Sequence, residues 1–325
     1  MQGKTGKGGG ENRGVERRNM KHALFFFGIP TAVMLATHYT IVNESISTFN
    51  AITTPILFAG LILLGMGFFE VKERKHILSL LGWFIFALYW ATQPEYLYYK
   101  GEGDTVNAVF CIVGVYFLSY LSYHEYLSLK RNEDVESLNF LAGATFFAGI
   151  LYFLILKIDI LSGWLIKGVA EQTAAIMRLL GYNVEAGAIH YGVSIEVPIY
   201  FNGHESVQLI LACTGLQSMA VFIGVLAALK ADTRRRVKAF LYTVPTIYVL
   251  NLVRNVGVIY GMEELGLSFY MMHNVIGKIG SLIALIALAF IVFELLPELY
   301  DNIIAIFNLP KRNGPIERGI RKLIK

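Results

Sequence analysis

Three residue types that together perform acyl transfer stand on three consecutive apolar stretches. Cys213 lies in "QLILACTGLQSMAVFIGVL", Arg254 in "AFLYTVPTIYVLNLVRNVGVIYG" and His273 in "MMHNVIGKIGS". A thiolate is a strong nucleophile toward carbonyls, and a nearby cation lowers the pKa of its thiol. An imidazole can take that proton and later return it to a leaving amine. A guanidinium can donate hydrogen bonds to the oxyanion of a tetrahedral intermediate, each such donor being worth a few kcal/mol. Burial alone would raise the pKa of Cys213, so its activity requires the positive partner. Polar residues accompany each of the three: Thr214 and Gln217 after the cysteine, Asn251 and Asn255 around the arginine, Asn274 and Lys278 after the histidine. Cys111 has no polar company and reads as a small hydrophobe.

Such residues meet only if the chain crosses a membrane in a definite order. Hydrophobic residues make up 55% of the 325 and charged residues only 16%, against about a quarter in soluble proteins. A transmembrane helix needs about 20 apolar residues. The sequence predicts about eight such spans, over 23–42, 49–69, 77–93, 106–124, 138–156, 206–229, 239–260 and 273–296. Cytoplasmic loops carry the excess of lysine and arginine. Of the 28, the two tails and alternate loops hold 22, the opposite loops four, and two (Arg254 and Lys278) lie within spans. Both termini are therefore expected in the cytoplasm. In this topology the sixth span runs inward, with Cys213 in its first two turns and roughly 10 Å below its outer end. The seventh returns with Arg254 at a similar depth, and the eighth begins outside near His273. A guanidinium at that depth must be paired or face water.

The expected organisation is a disordered tail over 1–22, a five-helix scaffold with few buried ionisable groups over 23–156, an external segment over 157–205, a three-helix core over 206–296 and a basic cytoplasmic tail over 297–325. In the external segment, "GWLIKGVAEQTAAIMRLLG" sets Ile166, Val169, Ala170, Met177 and Leu180 on one helical face. From Ile189 to Phe201 every odd position is apolar, the signature of a strand with one buried face. "NVEAGA" before it can close a hairpin, and Pro198 confines the strand to an edge or a bulge. The fold class is thus an all-α polytopic membrane protein with an external amphipathic helix and a small β-hairpin cap. In the last tail, Ile316, Ile320 and Leu323 oppose Arg318, Arg321 and Lys325, which suits a short helix on the inner leaflet.

"LACTGLQSMAVF", "YVLNLVRN" and "MMHN", in that order, resemble the exosortase/archaeosortase family, and within it the archaeosortase A type. The resemblance is concentrated in 160–296. It implies a cysteine-dependent membrane transpeptidase. Its partners would be exported proteins bearing a C-terminal sorting signal made of a short motif (of Pro-Gly-Phe type), a transmembrane helix and a basic cluster. The new C-terminus would pass to a lipid anchor. Carried over residue by residue, the resemblance makes Cys213 the nucleophile, Arg254 the stabiliser and His273 the general acid/base.

Other readings set the alternatives. A transporter or lipid flippase would use Arg254 and Lys278 for an anionic substrate, but would carry inverted repeats, and none is evident. A non-catalytic scaffold or receptor would leave Cys213 incidental. No cofactor is expected. His190, His204, Glu196 and Glu205 have no metal-ligand spacing, so no metal is expected either. The basic residues, Arg234-Arg235-Arg236 included, read as topology determinants and lipid contacts and not as a nucleic-acid surface. Asn43-Glu44-Ser45 matches an N-glycosylation motif.

Overall fold

The structure, a computed structural model, describes residues 21–41, 45–70, 74–99, 105–192 and 194–324. The expected disordered tail falls almost wholly outside these residues, as do Asn43 and Glu44 of the glycosylation motif and Val193 of the expected strand. The chain is a polytopic, largely helical membrane protein with one small sheet. Among the described residues, five helices are long and apolar enough to cross a bilayer: Ile46–Phe69, Arg74–Tyr99, Thr105–Arg131, Glu136–Lys157 and Tyr270–Leu295. Only 17% of the most apolar window of the last is buried inside the protein, so its remaining side chains require lipid as their solvent.

Two compact units divide the chain, one of residues 147–301 and one of residues 1–146 with 302–325. The second unit begins with a π-helical segment, Leu24–Gly28, continued by α1 (Ile29–Ile41), where the first span is expected. It goes on through α2 (Ile46–Phe69), α3 (Arg74–Ala91), α4 (Gln93–Tyr99) and α5 (Thr105–Arg131). Helices α2 and α3 pack backbone to backbone, since a Cβ on Gly60 would lie 2.9 Å from the amide nitrogen of Phe86. Among its described residues this unit buries the ionisable side chains of Lys75, His124 and Glu125. Two are held by partners, His76 Nδ1 lying 2.8 Å from Glu125 and Lys75 Nζ 2.7 Å from Asp134.

The expected basic tail is also more than a row of cations. It folds into helices Pro297–Phe307 and Pro315–Ile324. Glu317 on the latter is buried. It accepts hydrogen bonds from Tyr120 Oη at 2.9 Å and Tyr123 Oη at 3.0 Å, and lies 3.1 Å from His124 Nε2. Arg312 donates to the His124 carbonyl and to Ser128 Oγ, each at 3.0 Å. Burial pushes the Glu317 carboxyl up, but the His124 and Tyr120 bonds outweigh it, and the pKa falls to about 2.

The unit over 147–301 positions the chemistry. Helix α6 (Glu136–Lys157) enters it and α7 (Asp159–Leu179) follows. Ile166, Val169, Ala170 and Met177 form the buried face of α7. Leu180, expected on that face, instead ends the helix and is exposed. Next come β1 (Val184–Ala186), β2 (His190–Tyr191), β3 (Ile195–Phe201) and β4 (His204–Ile210), all pairing antiparallel to β3. Four strands thus stand where a hairpin is expected. Val197, Ile199 and Phe201 turn inward as the alternation predicts, joined by Val207 and Leu209. Lys167 Nζ donates to the carbonyls of Ala186 and Gly187, and Arg178 to that of Val184, tying α7 to the sheet.

One expectation is corrected here. Of the edge or bulge expected at Pro198, the edge is absent, because β3 has β4 on one side and β1 with β2 on the other, whereas the β3–β4 register shifts one residue further on, between Ile199 and Tyr200. Pro198 is accommodated where the chain passes from β1 to β2, a point at which no ladder partner needs its missing N–H. Its carbonyl still accepts from Gly187 N at 2.8 Å. The sixth helix does not start near 206. Asn202 and Gly203, with φ of 49° and 86°, close a two-residue hairpin turn that extends the sheet through Ile210. A 3₁₀ turn over Leu211–Thr214 follows, and α8 occupies only Leu216–Ala228. Its 13 residues reach about 20 Å, short of a hydrocarbon core about 30 Å thick. Helix α9 (Thr233–Glu263), a π-helical segment Tyr270–Gly277 and α10 (Lys278–Leu295) complete the unit.

Candidate active site

Cys213 sits in the 3₁₀ turn that joins β4 to α8, not within an α-helix. Gly215 makes the turn possible, with a φ of 74° that side-chain-bearing residues rarely adopt. A Cβ there would also lie 3.1 Å from the side chain of Asn251. Thr214, fully buried, donates from Oγ1 to the Leu211 carbonyl at 2.7 Å and accepts from the Leu216 amide at 3.3 Å. A carbonyl at the junction of two helical segments has no place in a regular ladder and must find donors elsewhere. For Cys213 these are Asn251 Nδ2 at 2.7 Å and Asn255 Nδ2 at 2.9 Å. Four apart on α9, the two asparagines share a face one turn from each other. Both are buried.

Arg254 stands between them in sequence and reaches the opposite partner. Its Nη2 lies 2.9 Å from His273 Nε2. A guanidinium only donates, so Nε2 carries the lone pair, and the ring proton sits on Nδ1, 3.4 Å from Asn274 Oδ1. Phe269, four residues before His273, stacks on the imidazole at 4.9 Å and 12° and fixes its plane. Arg254 Nε is buried and has no partner. Among the described residues no carboxylate pairs with this guanidinium.

A cavity of about 520 Å³ opens beside Arg254. Gln217 and Ser218 from α8, Asn251 and Gly257 from α9, and Gly277, Gly280 and Ser281 beyond them belong to its wall. Of the sequence-predicted residues, Arg254 and His273 are brought into contact, Asn274 supports the ring, and Asn251 and Asn255 bind Cys213. The thiol itself is differently placed. Cys213 is 7% exposed and packs in the apolar cluster with Leu252 and Ile259 of α9, while Ala212 and Gly215, on either side of the Cys213–Thr214 pair, reach the cavity. The thiol makes no hydrogen bond among the described residues. Gln217 is exposed on the cavity wall, and Lys278 is exposed without an ion pair among the described residues. His204, weighed as a ligand, is bonded to Glu263 at 2.9 Å. Three contributors escape the sequence reading: Gly215, Ser218 and Phe269. The glycine after "ACT" and an aromatic one turn before the histidine are the signals that could have found the first and last.

The sequence matches a known family. A profile described as transmembrane exosortase matches residues 73–292, and the chain belongs to that family. It is similar to the protein named Archaeosortase A of Natronomonas pharaonis, 24% identical over 248 residues, which cover 67% of this chain and 75% of that protein. It is also 28% identical over 158 residues to Archaeosortase A of Haloferax volcanii, covering 42% of this chain and about half (52%) of that protein. No solved structure matches the chain.

Proposed function

We propose that this protein is a membrane cysteine transpeptidase that cuts exported proteins at a C-terminal sorting signal and passes the new C-terminus to a lipid. The observation that carries the reading is the pairing of Arg254 with His273 on one side of α9, together with the clamp of Asn251 and Asn255 on Cys213. The relatives named Archaeosortase A support the sorting role. With both termini in the cytoplasm, as the lysine and arginine asymmetry predicts, the site faces the extracytoplasmic side.

In the first half-reaction the substrate displaces Arg254 from His273 Nε2, which frees that lone pair to take the thiol proton. Cys213 Sγ turns from the apolar cluster and attacks the scissile carbonyl, and Arg254 donates to the oxyanion. Collapse breaks the C–N bond, and the imidazolium protonates the departing amine. The result is a thioester on Cys213. In the second half-reaction a headgroup nucleophile attacks that thioester, the C–S bond breaks, and the nucleophile's proton goes to His273. The same nitrogen serves as base and acid in turn.

The test is a Cys213→Ser variant expressed in cells lacking the enzyme. Substrate proteins should keep their C-terminal helix and receive no lipid. Normal trimming and lipid attachment in that strain would exclude the reading. Arg254→Lys should behave nearly as Arg254→Ala, because a point charge cannot reproduce the planar fork.

A further inference from the structure

The small sheet treats its two edges differently. Main-chain groups alternate in direction along a strand. The Pro198 carbonyl accepts from Gly187 N at 2.8 Å, so Glu196, Pro198 and Tyr200 point theirs toward β1 and β2, and Val197, Ile199 and Phe201 toward β4. On β1, Val184 and Ala186 stand opposite Phe201 and Ile199 and so turn their carbonyls outward. There Arg178 takes the first at 2.8 Å and Lys167 the second at 3.0 Å. That edge is closed by side chains of α7.

On β4, Gln208 and Ile210 stand opposite Pro198 and Glu196, so their N–H and C=O groups also turn outward. Among the described residues no donor or acceptor meets them; Gln208 gives only its side chain, to Glu205 Oε1 at 2.7 Å. Both residues are exposed, Ile210 at 40%. Open edges recruit other chains, and proteins blunt those they do not use. This one runs straight into the Leu211–Thr214 turn and so ends at Cys213. At about 2 Å per residue of 3₁₀ turn, Cys213 lies roughly 6 Å beyond Ile210, the reach of about two extended residues.

We propose that the open edge of β4 receives the polypeptide to be cut, as an added strand formed by the residues just before the scissile bond. This rests on the reading above, since a chain that continues into a transmembrane helix must descend as β4 does and pair with it parallel. In that arrangement Gln208 and Ile210 each donate one N–H and accept at one C=O, giving main-chain bonds to alternate substrate residues. The residue opposite Ile210 then stands about two, and the one opposite Gln208 about four, before the scissile carbonyl at Cys213. Recognition through the main chain leaves the side chains of these residues free to differ between substrates.

Gln208→Pro removes one outward N–H and no ladder bond, a change that an edge strand tolerates. In cells carrying this variant in place of wild type, pulse–chase should show substrate proteins losing their C-terminal helix about fivefold more slowly, the worth of one hydrogen bond. Gln208→Ala, which keeps the N–H, should trim at the wild-type rate. Overproducing one substrate protein should restore the Gln208→Pro rate, because an interaction made equally in the bound and transition states changes KM alone. A wild-type rate in Gln208→Pro, or an equal defect in Gln208→Ala, would overturn the proposal. Independently of how the proline variant folds, p-benzoylphenylalanine placed at Gln208 in a Cys213→Ala background should crosslink uncut substrate about four residues before its scissile bond. The same probe at Glu185, across the sheet on β1, should not. Absence of the first crosslink, or equal crosslinking from Glu185, would also overturn it. Normal trimming in Cys213→Ser cells would remove the proposed chemistry, whereas trimming lost there but intact in Gln208→Pro would remove the docking edge alone.

Discussion

Removing the two asparagines that hold Cys213 should cost more together than apart. In Asn251→Ala the Cys213 carbonyl keeps Asn255 at 2.9 Å, and in Asn255→Ala it keeps Asn251 at 2.7 Å. Each single change forfeits one hydrogen bond, about 1 kcal/mol. The double variant leaves a buried carbonyl with no donor, which adds a desolvation penalty of about 1–3 kcal/mol. The expected total is roughly 3–5 kcal/mol where additivity gives about 2, a coupling of at least about 1 kcal/mol. Cβ of Asn251, which packs against Gly215, survives in both alanine variants that touch it. The measurement is stability against sodium dodecyl sulfate in mixed micelles, read through maleimide labelling of Cys213 as the turn opens. Labelling of Cys111 on α5 is the control and should follow a separate course. Costs that add within about 0.5 kcal/mol would refute the shared-acceptor argument.

Three further outcomes follow from the same geometry. Gly215→Ala should destabilise the turn by more than the roughly 1–2 kcal/mol of a left-handed alanine, because its Cβ also meets Asn251. Gly168→Ala on α7, where a Cβ meets nothing within 4 Å, should instead stabilise by about 0.5–1 kcal/mol, and a shift of the two unfolding midpoints in the same direction would contradict this. Glu317, with its pKa depressed from 4.5 to about 2, contributes stability that is fully present above pH 4.5 and lost as pH falls toward 2. Peptic cleavage of the C-terminal tail should accordingly rise across that interval in wild type, and Glu317→Gln should show high cleavage with no such step. Cys213 and Cys111 are both 7% exposed, so burial alone predicts equal alkylation; a substrate peptide, by acylating Cys213, should protect the first only, and unchanged labelling of both would remove the case for acylation.

Much of the fold could be read from the residues because lipid imposes a strong rule. A spanning segment must be long, apolar and helical, and α2, α5, α6 and the final span obey it. The amphipathic face of α7 and the inward residues of β3 followed from periodicity alone. The sixth segment misled for a physical reason. In "ESVQLILACTG" the apolar density is that of a membrane helix, yet Val207 and Leu209 are buried while Gln208 and Ile210 are exposed, a period of two. Asn202-Gly203 before it is a hairpin signal that the hydropathy run obscures. Cys213 consequently moved from a helix to a turn. The pairing of Arg254 with His273 was foreseeable in outline from matched depth. The clamp on the Cys213 carbonyl was not, because it depends on backbone groups that a sequence does not display. The short helix of the tail was legible in its spacing, but its anchor was not: Glu317, the one acid of helix Pro315–Ile324, is buried against Tyr120 and Tyr123.

The central claim is that Cys213 becomes acylated by the substrate. Mass spectrometry of the enzyme quenched in acid during turnover tests it most directly. The account predicts that a tryptic peptide containing Cys213 carries the substrate's new C-terminus through a bond that neutral hydroxylamine cleaves, and that Arg254→Ala lowers its yield at least about tenfold, the equivalent of 1.4 kcal/mol. An adduct on any other residue, or cleavage proceeding with Cys213 unmodified throughout, would contradict it.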